Sequence, residues 1–319
     1  MNKEFDLIAH HFSRPAPVGF LGVGDDCALF TVAPHHQLAV STDLLIQGRH
    51  FFDDVDPRTL GHKSLAVNLS DLAAMGARPL ACLLSLSLPK VDDHWLAAFA
   101  AGFYALADEA GCPLVGGDTT RSASGIVIGV TIMGEVLHGR ALRRSAAQVN
   151  DDIWVTGMLG AADVALRMLE GRLPTDPAVL ASTRQALEQP TPPWQFAQSL
   201  LGIAHAALDI SDGLAQDLGH ILQASHCGAE LFYASLPVDP ALHGLEASVQ
   251  QAAVLAGGDV YQLCFTAPAA CRPSILALAD QAAVQVSRVG RIEQELGLRV
   301  RGADGNLIRL EAHGFDHFS

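Results

Sequence analysis

The chain has 319 residues, about twice the usual domain length of roughly 150, so two domains are expected. Half of its residues are apolar, 17% are charged and 29 are glycine, a balance that excludes disorder, collagen and coiled coil. Twenty Lys and Arg against 34 Asp and Glu give a formal charge of -14, which argues against nucleic acid or an anionic membrane as a standing partner.

The start Met1-Asn2-Lys3-Glu4-Phe5-Asp6 lacks the basic and then apolar order of a signal peptide. The most apolar segment, Leu65 to Leu88, is interrupted by Asn68, Asp71 and Arg78 and does not suit a membrane span. Six cysteines are scattered without a Cys-x-x-Cys pair or a histidine at zinc spacing. The expectation is a cytoplasmic protein with neither a disulfide framework nor structural zinc.

In chain order, Gln37 to Asp43 reads as the first strand. From about Pro57 a helix follows, with Leu65, Leu69, Leu72 and Met75 as its buried stripe and Ser64, Asn68 and Asp71 together on the other side. A second helix spans about Asp92 to Ala110, stopped by Gly111. Strands Cys112 to Val115 and Ile126 to Met133 come next, then a polar stretch through Arg140, Arg143, Arg144 and Asn150, where the domain boundary is placed: 1–148 and 149–319. The second half restarts as strand, glycine turn and helix from Ile153 to about Glu170, and a proline-bracketed excursion through 193 carries one short helix. Strands at Ala206 to Ile210 and Tyr261 to Thr266 alternate with helices at Gly213 to Ser225 and Arg272 to Ala283, and Gly302 to Asn306 turns a hairpin. The fold class is mixed α/β in two domains.

The informative feature is a recurring unit, an apolar element that ends in Gly, Ser or Thr followed by Asp. It occurs at Gly22-Val-Gly-Asp-Asp26, Ser41-Thr-Asp43, Asn68-Leu-Ser-Asp71, Gly116-Gly-Asp118, Asp209-Ile-Ser-Asp-Gly213 and Gly257-Gly-Asp259. Each alone also suits a turn aspartate or a helix cap. As a set they suit a collection of hard oxygens for several Mg2+ ions on a polyphosphate, with glycines that let backbone approach the phosphates. Only Lys3, Lys63 and Lys90 are present, none in a Gly-Lys-Ser/Thr loop, and no Gly-x-Gly-x-x-Gly occurs, so phosphate neutralisation falls to metals and arginines. Arg140, Arg143 and Arg144 form the densest basic cluster, which equally suits a solvated linker.

These units, with Asn68-Leu-Ser-Asp-Leu-Ala-Ala-Met-Gly-Ala77, Gly116-Gly-Asp-Thr-Thr-Arg121 and the tail Gly314-Phe-Asp-His-Phe318, resemble the thiamine-monophosphate kinase family, in order and over almost the whole chain. That family belongs with the aminoimidazole ribonucleotide and selenophosphate synthetases. The resemblance implies an amino-terminal domain that pairs with its twin in a homodimer and an α/β carboxy-terminal domain that closes a cleft. It implies Mg-dependent transfer of the ATP γ-phosphoryl group to the phosphate of thiamine monophosphate, giving thiamine diphosphate.

By the same resemblance Asp26, Asp43, Asp71, Asp118 and Asp209 are magnesium ligands, Ser41 and Thr42 assist through oxygen, and Asp212 holds a further ion. Gly117, Asp118, Arg144 and Ser211 would contact ATP, and His50, Asp259 and Phe315 the thiamine phosphate. No catalytic base is expected, because a phosphate monoester is already ionised near neutral pH. Where the family carries Gly-Gly-Glu-Asp-Tyr-Glu, this chain has Gly257-Gly258-Asp259-Val260-Tyr261-Gln262, with two carboxylates lost and one shortened. Two other readings stand beside this one: a synthetase of the same superfamily, and a non-catalytic nucleotide- and metal-binding homologue.

Overall fold

The computed structural model describes residues 6–23 and 27–308. The chain divides into two compact units, one of Met1–Leu72 and Ala77–Gly139, the other of Ala73–Gly76 and Arg140–Ser319. The mixed helix and sheet character expected from the sequence is found in both.

The first unit contains β1 (His36–Ile46), α1 (Pro57–Ala74), β2 (Arg78–Leu88), α2 (Asp93–Ala110), β3 (Leu114–Arg121) and β4 (Val127–Leu137). The strands form one sheet in the order β1-β4-β2-β3, with β4 antiparallel to both neighbours and β3 parallel to β2. Strand β2 escapes the sequence reading because Pro79, Ala81 and Leu83 alternate with Leu80, Cys82 and Leu84, so the run has no period of two. It fills the middle of the sheet, and those even-numbered side chains are buried.

Helix α1 is buried on both sides, since Ser64 and Asn68, opposite the apolar stripe, are 1% and 0% exposed; Met75, expected in the stripe, lies beyond the helix end. Polar groups survive there by bonding the helix itself: Ser64 Oγ donates to Leu60 O at 2.7 Å and Asn68 Nδ2 to Ser64 O at 3.2 Å. Helices α1 and α2 cross with their backbones in contact. A Cβ at Gly61 would lie 2.0 Å from Phe99 O, and one at Gly102 would lie 1.8 Å from Arg58 O. Asp92 caps α2 through the amides of His94 and Trp95, and Gly111, at φ +59°, ends it as expected.

Strand register defines the two faces of this sheet. Ser41 and Asp43 share the side of Ile132, Val130 and Leu84, all buried beneath the helices. The opposite side carries Leu38, Val40, Thr42, Leu44 and Ile46 of β1, and its four apolar members are 42–60% exposed.

The second unit contains β5 (Asp151–Thr156), α3 (Ala161–Leu169), α4 (Pro177–Glu188), α5 (Trp194–Ser199), β6 (Ala206–Ile210), α6 (Leu214–Ser225) and β7 (Gly228–Phe232). It continues with α7 (Ala247–Ala256), β8 (Gln262–Pro268), α8 (Arg272–Ala282), β9 (Val286–Glu293), β10 (Gly297–Arg301) and β11 (Leu307–Ile308). The sheet order is β11-β10-β7-β9-β5-β8-β6, antiparallel except for β10 with β7. One face packs Val155, Leu208, Ile210, Leu231 and Cys264 against Val164 of α3, Leu218 of α6 and Val254 of α7. On the other, Trp154 stacks on Phe265 with ring centroids 6.2 Å apart, and Phe196 of α5 meets Phe265 edge-on.

Residues 140–150, read as a linker, lie with the second unit, where Ser225 Oγ donates to Arg144 O at 2.7 Å. Among the described residues no helix is long and apolar enough to cross a membrane.

Candidate functional site

In the first unit, β1, α1 and β3 carry the residues singled out from sequence. Ser41 donates its hydroxyl to Asp71 Oδ2, joining β1 to α1 on the helix-covered face that also bears Asp43. Thr42 points the other way and bonds Val130 O at 3.1 Å and Thr131 Oγ1 at 3.0 Å. After β1 the chain turns through Gly48, at φ +76°, and the amides of Arg49 and His50 both return to Ile46 O. His50 Nδ1 accepts the Ile46 amide at 3.0 Å, so the neutral ring carries its hydrogen on Nε2.

Gly117 occupies the row Asp43–Val130–Leu84–Gly117. A Cβ there would lie 1.8 Å from Leu84 O, so β3 reaches β2 only through a glycine. Asp118 falls in the next row, Leu44–Gly129–Ser85–Asp118, on the opposite face and the opposite edge. Three strand spacings put it about 14 Å from β1. Ser41, Asp43 and Asp71 are therefore brought together, and Asp118 stands apart from them within one chain. Asp26 and Phe315 lie outside the described residues.

In the second unit the end of β6 and the segment before β8 meet. Asp259 N donates to Ser211 O at 2.8 Å, and Tyr261 N donates to Ile210 O at 2.8 Å. Asp259 and Tyr261 both take the left-handed conformation, at φ +58° and +51°, and Tyr261 Oη donates to Asp259 Oδ1 at 3.2 Å. Gly258 permits the approach, since its Cβ would lie 2.6 Å from Ser211 O. This brings Asp209, Ser211, Asp212 and Asp259 into one neighbourhood. Arg144 does not join them within this unit. Its main chain sits beside Ser225 at the far end of α6, about 16 Å by helix rise from Leu214.

Sequence reasoning missed Asp217. Its Oδ2 accepts the amides of Ser211, Asp212 and Gly213 at 3.0, 2.9 and 3.0 Å. Burial pushes this carboxyl up to about 6, against the opposing pull of those donors. Its place in the first turn of α6, four residues after Gly213, was the available signal. With their amides so engaged, Ser211 and Asp212 have no main-chain N–H to offer a ligand.

The donors in both neighbourhoods are oxygens, which suits Mg2+, an ion that keeps several waters and takes one or two carboxylates beside phosphate oxygens. Among the described residues, no three His, Cys, Asp or Glu side chains group closely enough to hold a metal ion unaided.

Comparison with known proteins bears on both units. Residues 24–136 match the N-terminal domain model of the AIR synthase related proteins, and residues 149–302 match the C-terminal one. Thiamine-monophosphate kinase of Salmonella typhimurium is 41% identical over 326 residues, covering 99% of this chain and 98% of the relative. The chain belongs to the thiamine-monophosphate kinase family. A crystal structure of the thiamine-monophosphate kinase from Stenotrophomonas maltophilia K279a is similar with TM-score 0.84 and 43% identity, covering 95% of this chain and 96% of that one. The AaThiL complex with AMPPCP and TMP is similar with TM-score 0.76 and 29% identity over 90% and 89% of the two chains. Both acidic neighbourhoods fall inside the residues matched by the two AIR synthase related domain models.

Proposed function

We propose that this chain transfers the γ-phosphoryl group of ATP to the phosphate of thiamine monophosphate, giving thiamine diphosphate and ADP. The observation that carries this reading is the full-length similarity to thiamine-monophosphate kinases. The reading assigns ATP and metal binding and dimerisation mainly to residues 1–148, and the acceptor-binding Asp259 to residues 149–319.

Asp26, Asp43, Asp71, Asp118 and Asp209 would hold Mg2+, assisted by Ser41 and Thr42, and Asp212 would hold a further ion. Bound Mg2+ would supply charge neutralisation between two phosphate-bearing substrates and order their oxygens in line. The chain's own part is positional. Asp71 is steadied by the Ser41 hydroxyl, and the Ser211–Gly213 turn is fixed by Asp217. Asp259 is set by a strained backbone in which two residues are left-handed. The acceptor phosphate has its second pKa near 6 and needs no residue to remove a proton. Gly117, Asp118, Arg144 and Ser211 would face ATP; His50, Asp259 and Phe315 would face thiamine monophosphate.

A homodimer is part of the proposal. It is supported by the exposed apolar row Leu38, Val40, Leu44 and Ile46 on β1, a patch that suits a like partner better than water. The protein would work in the cytoplasm. The deciding experiment is incubation of the purified chain with ATP, Mg2+ and thiamine monophosphate. ADP and thiamine diphosphate should form in equal amounts, and absence of both from folded protein rejects the reading.

A further inference from the structure

Gln262 stands where the family pattern has glutamate, and both ends of its amide are engaged. Its Oε1 accepts the Thr156 hydroxyl at 2.7 Å, and that hydroxyl oxygen in turn accepts the Leu263 amide at 2.9 Å. Its Nε2 donates to Thr191 O at 3.0 Å. The Thr191 carbonyl can only accept, so the network assigns the amide: NH2 toward Thr191, oxygen toward Thr156. A glutamate here would still accept from Thr156. It has no hydrogen for Thr191 when ionised and would set a negative oxygen against a carbonyl.

Gly157 makes room for this arrangement. It sits at φ +62°, and a Cβ there would lie 2.7 Å from Gln262 Cδ. The Gln262–Thr191 bond spans 71 residues and ties the start of β8 to the proline-bounded link between α4 and α5. Gly157, Thr191 and Gln262 also line a cavity of about 350 Å³ whose remaining wall includes Gln185, Asp239 and Asp259. A space of that size, with two carboxylates and an amide on its rim, suits a compact heteroaromatic cation that carries N–H donors.

We propose that Gln262 is a positioning residue: its amide latches the 190–193 link to β8 and so fixes one wall of a cavity that receives the cationic heteroaromatic end of the phosphate acceptor. The identity of the acceptor rests on the function proposed above; the latch does not. The side-chain change from glutamate to glutamine is thereby matched to the Thr191 carbonyl it meets.

Full-length Gln262→Glu and Gln262→Met variants are compared with the parent by amide hydrogen exchange over 189–196 and by separate calorimetric titrations with thiamine monophosphate and ATP in Mg2+. Gln262→Met keeps the length and bulk of the side chain, so a readout remains if the charged variant folds poorly. In both variants the Thr191 and Trp194 amides should exchange faster and thiamine monophosphate should bind about tenfold more weakly, the scale of one lost hydrogen bond. ATP affinity should stay within about twofold. Unchanged exchange over 189–196 overturns the latch, and equal weakening of both ligands overturns its link to the acceptor. If the parent itself ignores thiamine monophosphate while exchange still rises in the variants, the latch stands and the acceptor assignment falls with the proposed function.

Discussion

Asp217 holds the amide of Ser211 at 3.0 Å, and the same carboxylate oxygen takes the next two amides of the turn. Removing that oxygen with Asp217→Ala leaves three donors without an acceptor beside Asp212 and should lower stability by about 3 kcal/mol. Asp217→Asn keeps an acceptor of the same shape and should lower it by no more than about 1 kcal/mol. Urea denaturation followed by circular dichroism checks both, and equal losses in the two variants would contradict the assigned role.

Asp71 is predicted to matter for turnover far more than for folding. Asp71→Asn can still accept the Ser41 hydroxyl but loses the charge a cation needs, so kcat should fall about 100-fold or more with little change in Tm. Chelation of divalent ions should abolish turnover in the parent and readdition of Mg2+ should restore it. A large drop in Tm for Asp71→Asn, with activity preserved, would make the residue structural.

Glu135 gives the acid side of the stability curve a specific contributor. Burial raises this carboxyl, but the Ala33 amide at 2.9 Å and the Arg78 guanidinium outweigh it, and the net shift is below the ordinary glutamate value. A depressed folded pKa adds stability that is present above the unfolded value of about 4.3 and lost as pH falls through the folded one. Glu135→Gln should therefore narrow the stability difference between pH 6 and pH 3, measured by denaturant titration at each pH.

The crossing of α1 and α2 has no room for a methyl group at Gly102. Gly102→Ala would drive Cβ to 1.8 Å from Arg58 O, and the helices must separate to relieve it. A loss of at least about 3 kcal/mol is expected, read as a marked fall in Tm; a neutral result would mean that the helices are not in backbone contact.

Charges placed on β1 should separate the proposed homodimer. Val40→Glu and Leu44→Lys alter side chains that are 58% and 60% exposed, so folding of the single chain should be little affected. Sedimentation velocity should show the parent at twice the mass of the variants. A parent that sediments as one chain removes the dimer from the proposal.

Much of this was legible in particular residues. The Asp-bearing units at 41–43, inside β1, at 68–71, inside α1, and at 209–213, where β6 ends, announce themselves because an acid after a small residue in an apolar element serves no core. The grouping of Ser41 with Asp71 could not be read, since it depends on which face of the sheet α1 covers. Asp118 shows the reverse: its motif resembles the others, yet strand register sends it to the other face. Strand β2 was hidden by apolar residues on both of its faces, because periodicity reports a boundary with water; helix α1 was read from its apolar stripe, but not the burial of Ser64 and Asn68 on its other side. Strands β7 and β9 and helix α7 were missed for a related reason: short segments rich in alanine, glycine and valine carry little contrast between faces. Asp217 lay in view but needed its three amide donors to acquire a role.

The left-handed backbone at Asp259 and Tyr261 bears on how a ligand would be received. Each such residue carries about 1–3 kcal/mol of strain, which the surrounding structure must hold before anything binds. If Asp259 receives the acceptor as proposed, the incoming molecule would meet a carboxylate already aimed, and little of its binding energy would go into organising the loop. Selectivity would then follow from misfit: a molecule that needs Asp259 a methylene farther forward would find a backbone that does not bend to meet it.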